Sequence, residues 1–265
     1  MIASLPMYPA DRDAVGALWD ALSSILIDMG VSGVPTQLLW PDDLHPHWRR
    51  PDLLLSQTCG YPLVTGLADD VNVIGTFNYS APHCEGANYR SVIIARADDG
   101  REDLRSFRGC RVAYNSRDSQ SGYNGFRALV AQLAINGRFF GEATATGSHH
   151  ASMQAVAKGD ADIAAVDCIS FAAIGRQELG LAAALKVIGL TELAPGLPLV
   201  THKSNGEGLV SVLRAALRQL VADPGLADIR QRLMISRFTL LEFADYAPIR
   251  RMERAAFAAG YADLA

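Results

Sequence analysis

Ten consecutive residues, Asn115 to Asn124 (NSRDSQSGYN), concentrate hydroxyls and carboxamides in one place. The run Arg111–Tyr114 before them reads as a strand, and Phe126–Leu133 after them reads as a helix. The first turn of a helix carries backbone N–H groups without intrahelical partners, and the helix dipole adds partial positive charge there. The hydroxyl- and amide-rich loop at that helix start is therefore a ready-made anion site. The same residue types cap helices in any protein, so an ordinary N-cap stands beside the anion reading. Gly122 permits close backbone approach to a ligand, or simply a turn.

The elements around this stretch follow from periodicity. Asp11 caps a helix predicted over Arg12–Met29, whose apolar positions Val15, Leu18, Trp19, Leu22, Ile25 and Leu26 recur at three and four; Gly30 stops it. Strands are predicted at Ala3–Met7, Pro35–Trp40, Asp52–Gln57, Val71–Phe77, Tyr89–Ala95, Arg111–Tyr114, Ala161–Val166 and Ala183–Leu190. Asp52–Gln57 is a continuous apolar run, the pattern of a strand covered on both faces. Pro41–Pro51, with His45, His47 and Trp48, reads as a polar surface loop. Ala151–Lys158 reads as a helix stopped by Gly159. The two prolines of Ala194–Val200 suit a connecting segment better than a central strand. From Gly208 the chain reads as helical, ending in an amphipathic helix over Arg250–Gly260. Alternating strands and helices with polar loops at the strand ends are an α/β arrangement, in which ligands lie beyond those ends. Two such units emerge, at about 3–94 and 95–187.

Composition bounds the function. The chain has 265 residues, enough for one large or two modest domains. A formal net charge of −4 argues against a nucleic-acid binder, which needs a basic face. No run of about 18 apolar residues occurs, so no membrane span is expected. The start, Met1–Tyr8, lacks a basic segment followed by an apolar core. A cytoplasmic protein is expected from the sequence as it stands, or a periplasmic one if a leader has been removed. Cys59, Cys84, Cys110 and Cys168 form no CxxC pair and no zinc-like cluster with histidine. They read as free thiols, with a Cys59–Cys84 bridge open if the chain is exported. No metal and no cofactor are expected.

The LPMY start, the LLLSQTCGYP strand and loop, the NSRDSQSGYN loop and the GSHHASMQAVAKGDADIAAVD run occur in an order that resembles the substrate-binding proteins of phosphate, phosphite and phosphonate ABC transporters. The resemblance implies a type II periplasmic-binding-protein fold. In that fold two α/β lobes, each a mixed, mostly parallel sheet flanked by helices, are joined by two crossover strands and close on a ligand in the cleft between them. It implies residues 1–92 with 190–265 as lobe 1 and 93–189 as lobe 2. Carried over residue by residue, Ser119, Gln120, Ser121 and Gly122 hold the oxyanion and His149 donates to it. Asp167 accepts from a protonated ligand oxygen or an amine, and Tyr8 reaches in from the first lobe beside Gln57, Thr58 and Tyr61.

Each has a plainer alternative. His149 can be a surface residue at a helix start, and His150 a partner of the fold or of solvent. A buried Asp167 is costly unless paired and repels an anion that brings no proton or ammonium group, so a structural hydrogen bond is its alternative. Tyr8 and Tyr61 can be core-edge aromatics; Tyr79, Tyr89 and Tyr246 are secondary candidates. Departures from the family pattern are His150 after His149, Cys168 after Asp167, and a first-lobe loop, QTCGY, with few charges.

The expected function is non-enzymatic binding of a small phosphate- or phosphonate-like anion, with an ABC transporter permease as the implied partner, or a soluble sensing role. Alternatives on the same fold are a sulfonate or a thiamine-precursor-like heterocycle stacked on Tyr8 and Tyr61. A hydrolase built on Ser119 or Ser121, His149 and Asp167 has the right residue types. It lacks the GxSxG elbow, and no GxxxxGK[ST] phosphate loop occurs. No catalytic residue is therefore assigned.

Overall fold

The computed structural model describes residues Met1–Leu264. In chain order the strands are β1 (Ile2–Ser4), β2 (Leu53–Gln57), β3 (Val71–Tyr79), β4 (Asn88–Tyr89), β5 (Ser91–Arg96), β6 (Arg111–Tyr114), β7 (Glu142–Ala145), β8 (Ile163–Asp167), β9 (Leu185–Leu190), β10 (Ala194–Pro195), β11 (Pro198–His202) and β12 (Ile235–Thr239). The α-helices are α1 (Arg12–Asp28), α2 (Leu44–Trp48), α3 (Gly60–Gly66), α4 (Gly125–Ala131), α5 (His149–Lys158), α6 (Cys168–Gln177), α7 (Leu179–Ala183), α8 (Glu207–Ala222), α9 (Ala227–Arg232) and α10 (Ala247–Ala258). The chain divides into two units: Met1–Ser80 with Pro195–Tyr246, and Ala81–Ala194 with the chain from Ala247 onward.

The first unit carries a five-stranded sheet in the order β1-β2-β11-β3-β12. β1 pairs parallel with β2, and β11 is antiparallel to both β2 and β3. Three of its five strands thus run one way. The apolar faces of α1 and α8 cover it: Leu18, Trp19 and Leu22 meet Leu213 and Leu217 over Leu54, Ile74 and Leu199. Asp11 caps α1 by accepting the Ala14 N–H at 3.1 Å, and Gly30 takes a left-handed φ of 83° just past its end. Gly75 is required where β3 meets β12. Its φ is 152°, and a Cβ there would sit 2.5 Å from the Thr239 carbonyl and 2.6 Å from the Phe238 ring.

The second unit carries a five-stranded sheet in the order β7-β6-β8-β5-β9. β6 pairs parallel with β7 and β8, while β5 is antiparallel to β8 and β9. Four of its five strands run one way. Its core joins Ile93, Val112, Phe126 and Ile163 to Tyr261 and Leu264 near the end of the chain.

Four expectations change. β11 is a central strand, not a connector. Pro198 is its first residue, where a missing N–H is tolerated, and the other four strand residues carry the ladder. β12 interrupts the supposedly helical C-terminal third, and its exposed Ser236 and Arg237 hid its strand character. Pro35–Trp40 forms no strand. His47 and Trp48 are not on a surface loop: Asp43 caps α2 by accepting the His45 N–H, and both side chains are buried, with His47 Nε2 2.7 Å from Ser4 Oγ.

The division of the chain also differs from 190–265 forming part of one lobe. α10 lies in the second unit, where the Asn124 carboxamide donates to the Ile249 carbonyl and Gln120 Nε2 donates to Met252 Sδ. The chain therefore passes between units at three points rather than two.

Candidate functional site

β6 delivers the chain into the hydroxyl-rich loop, and the loop closes on itself. Ser119 Oγ accepts the Gly122 N–H at 3.0 Å, and the Ser119 carbonyl accepts the Asn124 N–H at 2.9 Å. The second bond spans five residues, so Gln120–Asn124 form one π-helical turn before α4. Such turns recur at functional sites because they displace backbone groups from the helical ladder. Ser91 Oγ on β5 donates to the Ser121 carbonyl at 2.8 Å and pins the turn to the sheet.

Ser121 Oγ lies 2.9 Å from His149 Nε2 and 3.4 Å from Ser119 Oγ. His149 opens α5, whose cap Ser148 accepts the Ala151 N–H at 3.0 Å. His149 Nδ1 and Asn115 Oδ1 are closed to solvent and have no hydrogen-bond partner among the described residues. Gly122 makes this packing feasible: a Cβ would stand 2.0 Å from Asn115 Oδ1 and 3.3 Å from His149 Cε1. Its lack of a side chain thus admits the Asn115 carboxamide.

Loss of solvent lowers the His149 pKa to about 4. The imidazole is neutral at pH 7 and carries a single N–H. Ser119, having accepted from Gly122, keeps its own hydroxyl proton to donate. The corner formed by Ser119, Ser121 and His149 is thus rich in hydrogen bonds and free of formal charge. It suits an oxyanion held by donors rather than by ion pairing. Arg117, in the same loop, is engaged with Asp263 at 2.7 Å.

Other sequence candidates have structural partners. Gln120 is buried; its Oε1 accepts from Asn124 Nδ2 at 2.8 Å and its Nε2 points to Met252. Asp167 Oδ1 accepts the N–H groups of Ile169 at 2.7 Å and Ser170 at 3.0 Å, capping α6. Oδ1 thus has a structural role at a helix start. His150 Nε2 lies 2.7 Å from Glu178 Oε1.

The Ser/His/Asp constellation of a hydrolase is incomplete. Ser121 meets His149, but the carboxylate that should orient Nδ1 has no counterpart among the described residues, because Asp167 serves as a cap. An imidazole with a pKa near 4 is also a poor general base at pH 7.

In the first unit, Tyr8 stacks edge-on against Tyr79, with ring centroids 5.1 Å apart. Gln57 Nε2 donates to Tyr79 Oη at 3.2 Å. These three residues line a small cavity of about 30 Å³ with Leu5, Val15 and Phe77. Thr58 is buried beside Gln57, and Tyr61 is half-buried in the first turn of α3. Tyr246 Oη donates to the Gly196 carbonyl at 3.0 Å, and Tyr89 is buried.

Sequence reasoning missed Ser91 and the buried carboxamide of Asn115, which packs against Gly122. Asn115 begins the polar stretch, so its residue type was the available signal; Ser91 sits on a separate strand and gave none. Among the described residues no group of three or more histidine, cysteine or acidic side chains is arranged to hold a metal. No helix of the described residues is long and apolar enough to cross a membrane.

Residues 51–246 match a family model described as the periplasmic substrate-binding protein of phosphonate ABC transporters. A search of curated protein sequences gives no match. Among solved structures, the chain is similar to a binding protein component of an ABC phosphonate transporter from Pseudomonas aeruginosa, at TM-score 0.78 and 18% identity over 97% of this chain and 87% of that one. It is similar to PhnD1 from Prochlorococcus marinus in complex with methylphosphonate, at TM-score 0.75 and 17% identity over 96% of each chain. A Xanthomonas citri protein solved with ATP gives TM-score 0.74 and 14% identity over 97% of each chain. These structural likenesses establish the type II periplasmic-binding-protein fold.

Proposed function

This chain belongs to the periplasmic substrate-binding proteins of phosphonate ABC transporters, and from that premise we propose that it binds a small phosphonate or phosphate monoester-like oxyanion without chemical turnover. The observation that carries this is the donor corner of Ser119, Ser121 and His149 around a π-turn, with one ring nitrogen left unpartnered among the described residues. A phosphonate offers three oxygens to such donors, and fixed hydrogen bonds away from bulk water are strong. The backbone of Gln120–Gly122 supplies further contacts in this proposal, while the Gln120 carboxamide supports the turn. Tyr8, Gln57, Thr58 and Tyr61 are proposed as additional ligand contacts, on the strength of the family resemblance. Asp167 is proposed, on the strength of the family resemblance, to favour a ligand that brings an amine, alongside its capping of α6. Delivery to a membrane permease is the proposed role, and soluble sensing is its alternative.

A thermal-shift screen of phosphate, methylphosphonate, aminoethylphosphonate, sulfate and taurine tests the proposal. A phosphonate at a hundred times its dissociation constant adds about 2.7 kcal/mol of stability. The double change Ser121→Ala with His149→Ala removes that shift while leaving a cooperative unfolding transition. A shift that persists in the double variant overturns the site. A shift with taurine alone transfers the proposal to sulfonates, and no shift with any oxyanion removes its basis.

A further inference from the structure

The four cysteines are not equivalent. Cys84 Sγ and Cys168 Sγ approach to 3.5 Å within the second unit, 84 residues apart in sequence. Cys168 is the first residue of α6, and its N–H donates to the Arg90 carbonyl at 3.1 Å. Cys84 is held in a short irregular segment. Its N–H donates to the Ala81 carbonyl, His83 before it takes a left-handed φ of 72°, and Glu85 after it pairs with Arg90. The Cys168 backbone and the residue after Cys84 thus both meet Arg90, one at its carbonyl and the other at its guanidinium. An S–S bond of about 2.05 Å requires the sulfurs to close by roughly 1.5 Å, within the reach of side-chain rotation and small backbone adjustment.

We propose that Cys84 and Cys168 form a reversible disulfide that fastens the entry of the second unit to the N-terminus of α6. The family to which the chain belongs is periplasmic, and that compartment is oxidising. The two thiols differ in a way that orders the steps. Cys84 is partly exposed, whereas Cys168 is buried and held mainly in its thiol form by its contact with Cys84, by burial and by the neighbouring Asp167 carboxylate. With a small disulfide such as oxidised glutathione as oxidant, the Cys84 thiolate attacks one glutathione sulfur and expels a glutathione thiolate. Cys168 then loses its proton, attacks Cys84 Sγ and expels the second glutathione. Two protein thiols become one disulfide, and one glutathione disulfide becomes two glutathione thiols. The bond fixes the residue that follows Asp167, the cap of α6.

The test uses the full chain, reduced and then incubated with oxidised glutathione. Under denaturing conditions, thiol titration is expected to fall from the four cysteines of the sequence to two. Peptide mapping is expected to find Cys84 joined to Cys168 with the loss of two hydrogens. The melting temperature rises on oxidation, and Cys84→Ser removes the rise while Cys59→Ser and Cys110→Ser keep it. Three outcomes overturn the proposal: a linked peptide containing Cys59 in place of Cys168, glutathione retained on Cys84 without ring closure, or four titratable thiols after oxidation. Because these readouts need no ligand, their failure leaves the binding proposal standing, and failure of the ligand screen leaves this one standing.

Discussion

His149 concentrates the chemistry of the second unit in one side chain. Its pKa is lowered from 6.5 to about 4 by burial. Between those values the unfolded chain binds a proton that the folded chain refuses. Stability is therefore full above pH 6.5 and declines as pH falls toward 4. At 1.36 kcal/mol per pH unit the decline is about 3 kcal/mol. Urea unfolding at pH 7.5 and pH 4.5 is expected to show a smaller acid loss in His149→Gln than in the parent; equal losses would exclude burial as the cause. Gly122 acts at the same scale. Gly122→Ala forces a Cβ into Asn115 Oδ1, 2.0 Å away, and is expected to cost about 1–3 kcal/mol. Gly122→Ala combined with Asn115→Gly should recover most of that cost, since the clash is with the Asn115 side chain.

Among the elements, α6 and α4 each depend on a buried polar group. Asp167 accepts two N–H groups at the start of α6, so Asp167→Ala is expected to lose roughly 1 kcal/mol, the ordinary value of a cap. Asp167→Asn keeps a capping oxygen and should retain most of the stability. If it also erases a preference for aminoethylphosphonate over methylphosphonate, the carboxylate meets the ligand amine; an unchanged preference confines it to capping. In α4, buried Arg127 donates to the Ala262 carbonyl at 2.6 Å and to Asn124 Oδ1 at 3.0 Å. Its guanidinium also lies over Tyr123 and Phe257, 5.3 and 5.0 Å from the ring centroids. Arg127→Leu strands both acceptors and is expected to cost about 1–3 kcal/mol, read by urea unfolding. The element boundaries most legible in the sequence were those with one dominant periodic signal. α1 has its apolar stripe and Asp11 cap, and β2 and β8 have unbroken apolar runs. α2 is only five residues long, too short for a helical period to register.

For the whole molecule, the route of the chain matters more than its composition. The second unit is completed by the C-terminal segment: Ile249, Met252, Ala256, Tyr261 and Leu264 are buried there. Arg117 and Tyr123 also reach Asp263, the latter donating from its hydroxyl at 2.9 Å. A fragment of residues 81–194 is therefore expected to lack a cooperative urea transition, because its core is left uncovered. A fragment that unfolds cooperatively by near-UV circular dichroism would show the C-terminal segment to be dispensable.

By itself the sequence determined the α/β class, the position of the hydroxyl-rich loop between a strand and a helix, and the pairing of that loop with His149 by resemblance. Those features are local: a period of 3.6, an apolar run, or a cap residue is carried by neighbours along the chain. Only the tertiary structure decided that Pro198–His202 runs between β2 and β3, that His47 and Trp48 turn inward, and that Asp167 caps α6. It also decided that α10 joins the second unit and that Cys84 faces Cys168. Each of these depends on groups far apart in sequence, whose meeting is set by sheet order and burial rather than by local preference.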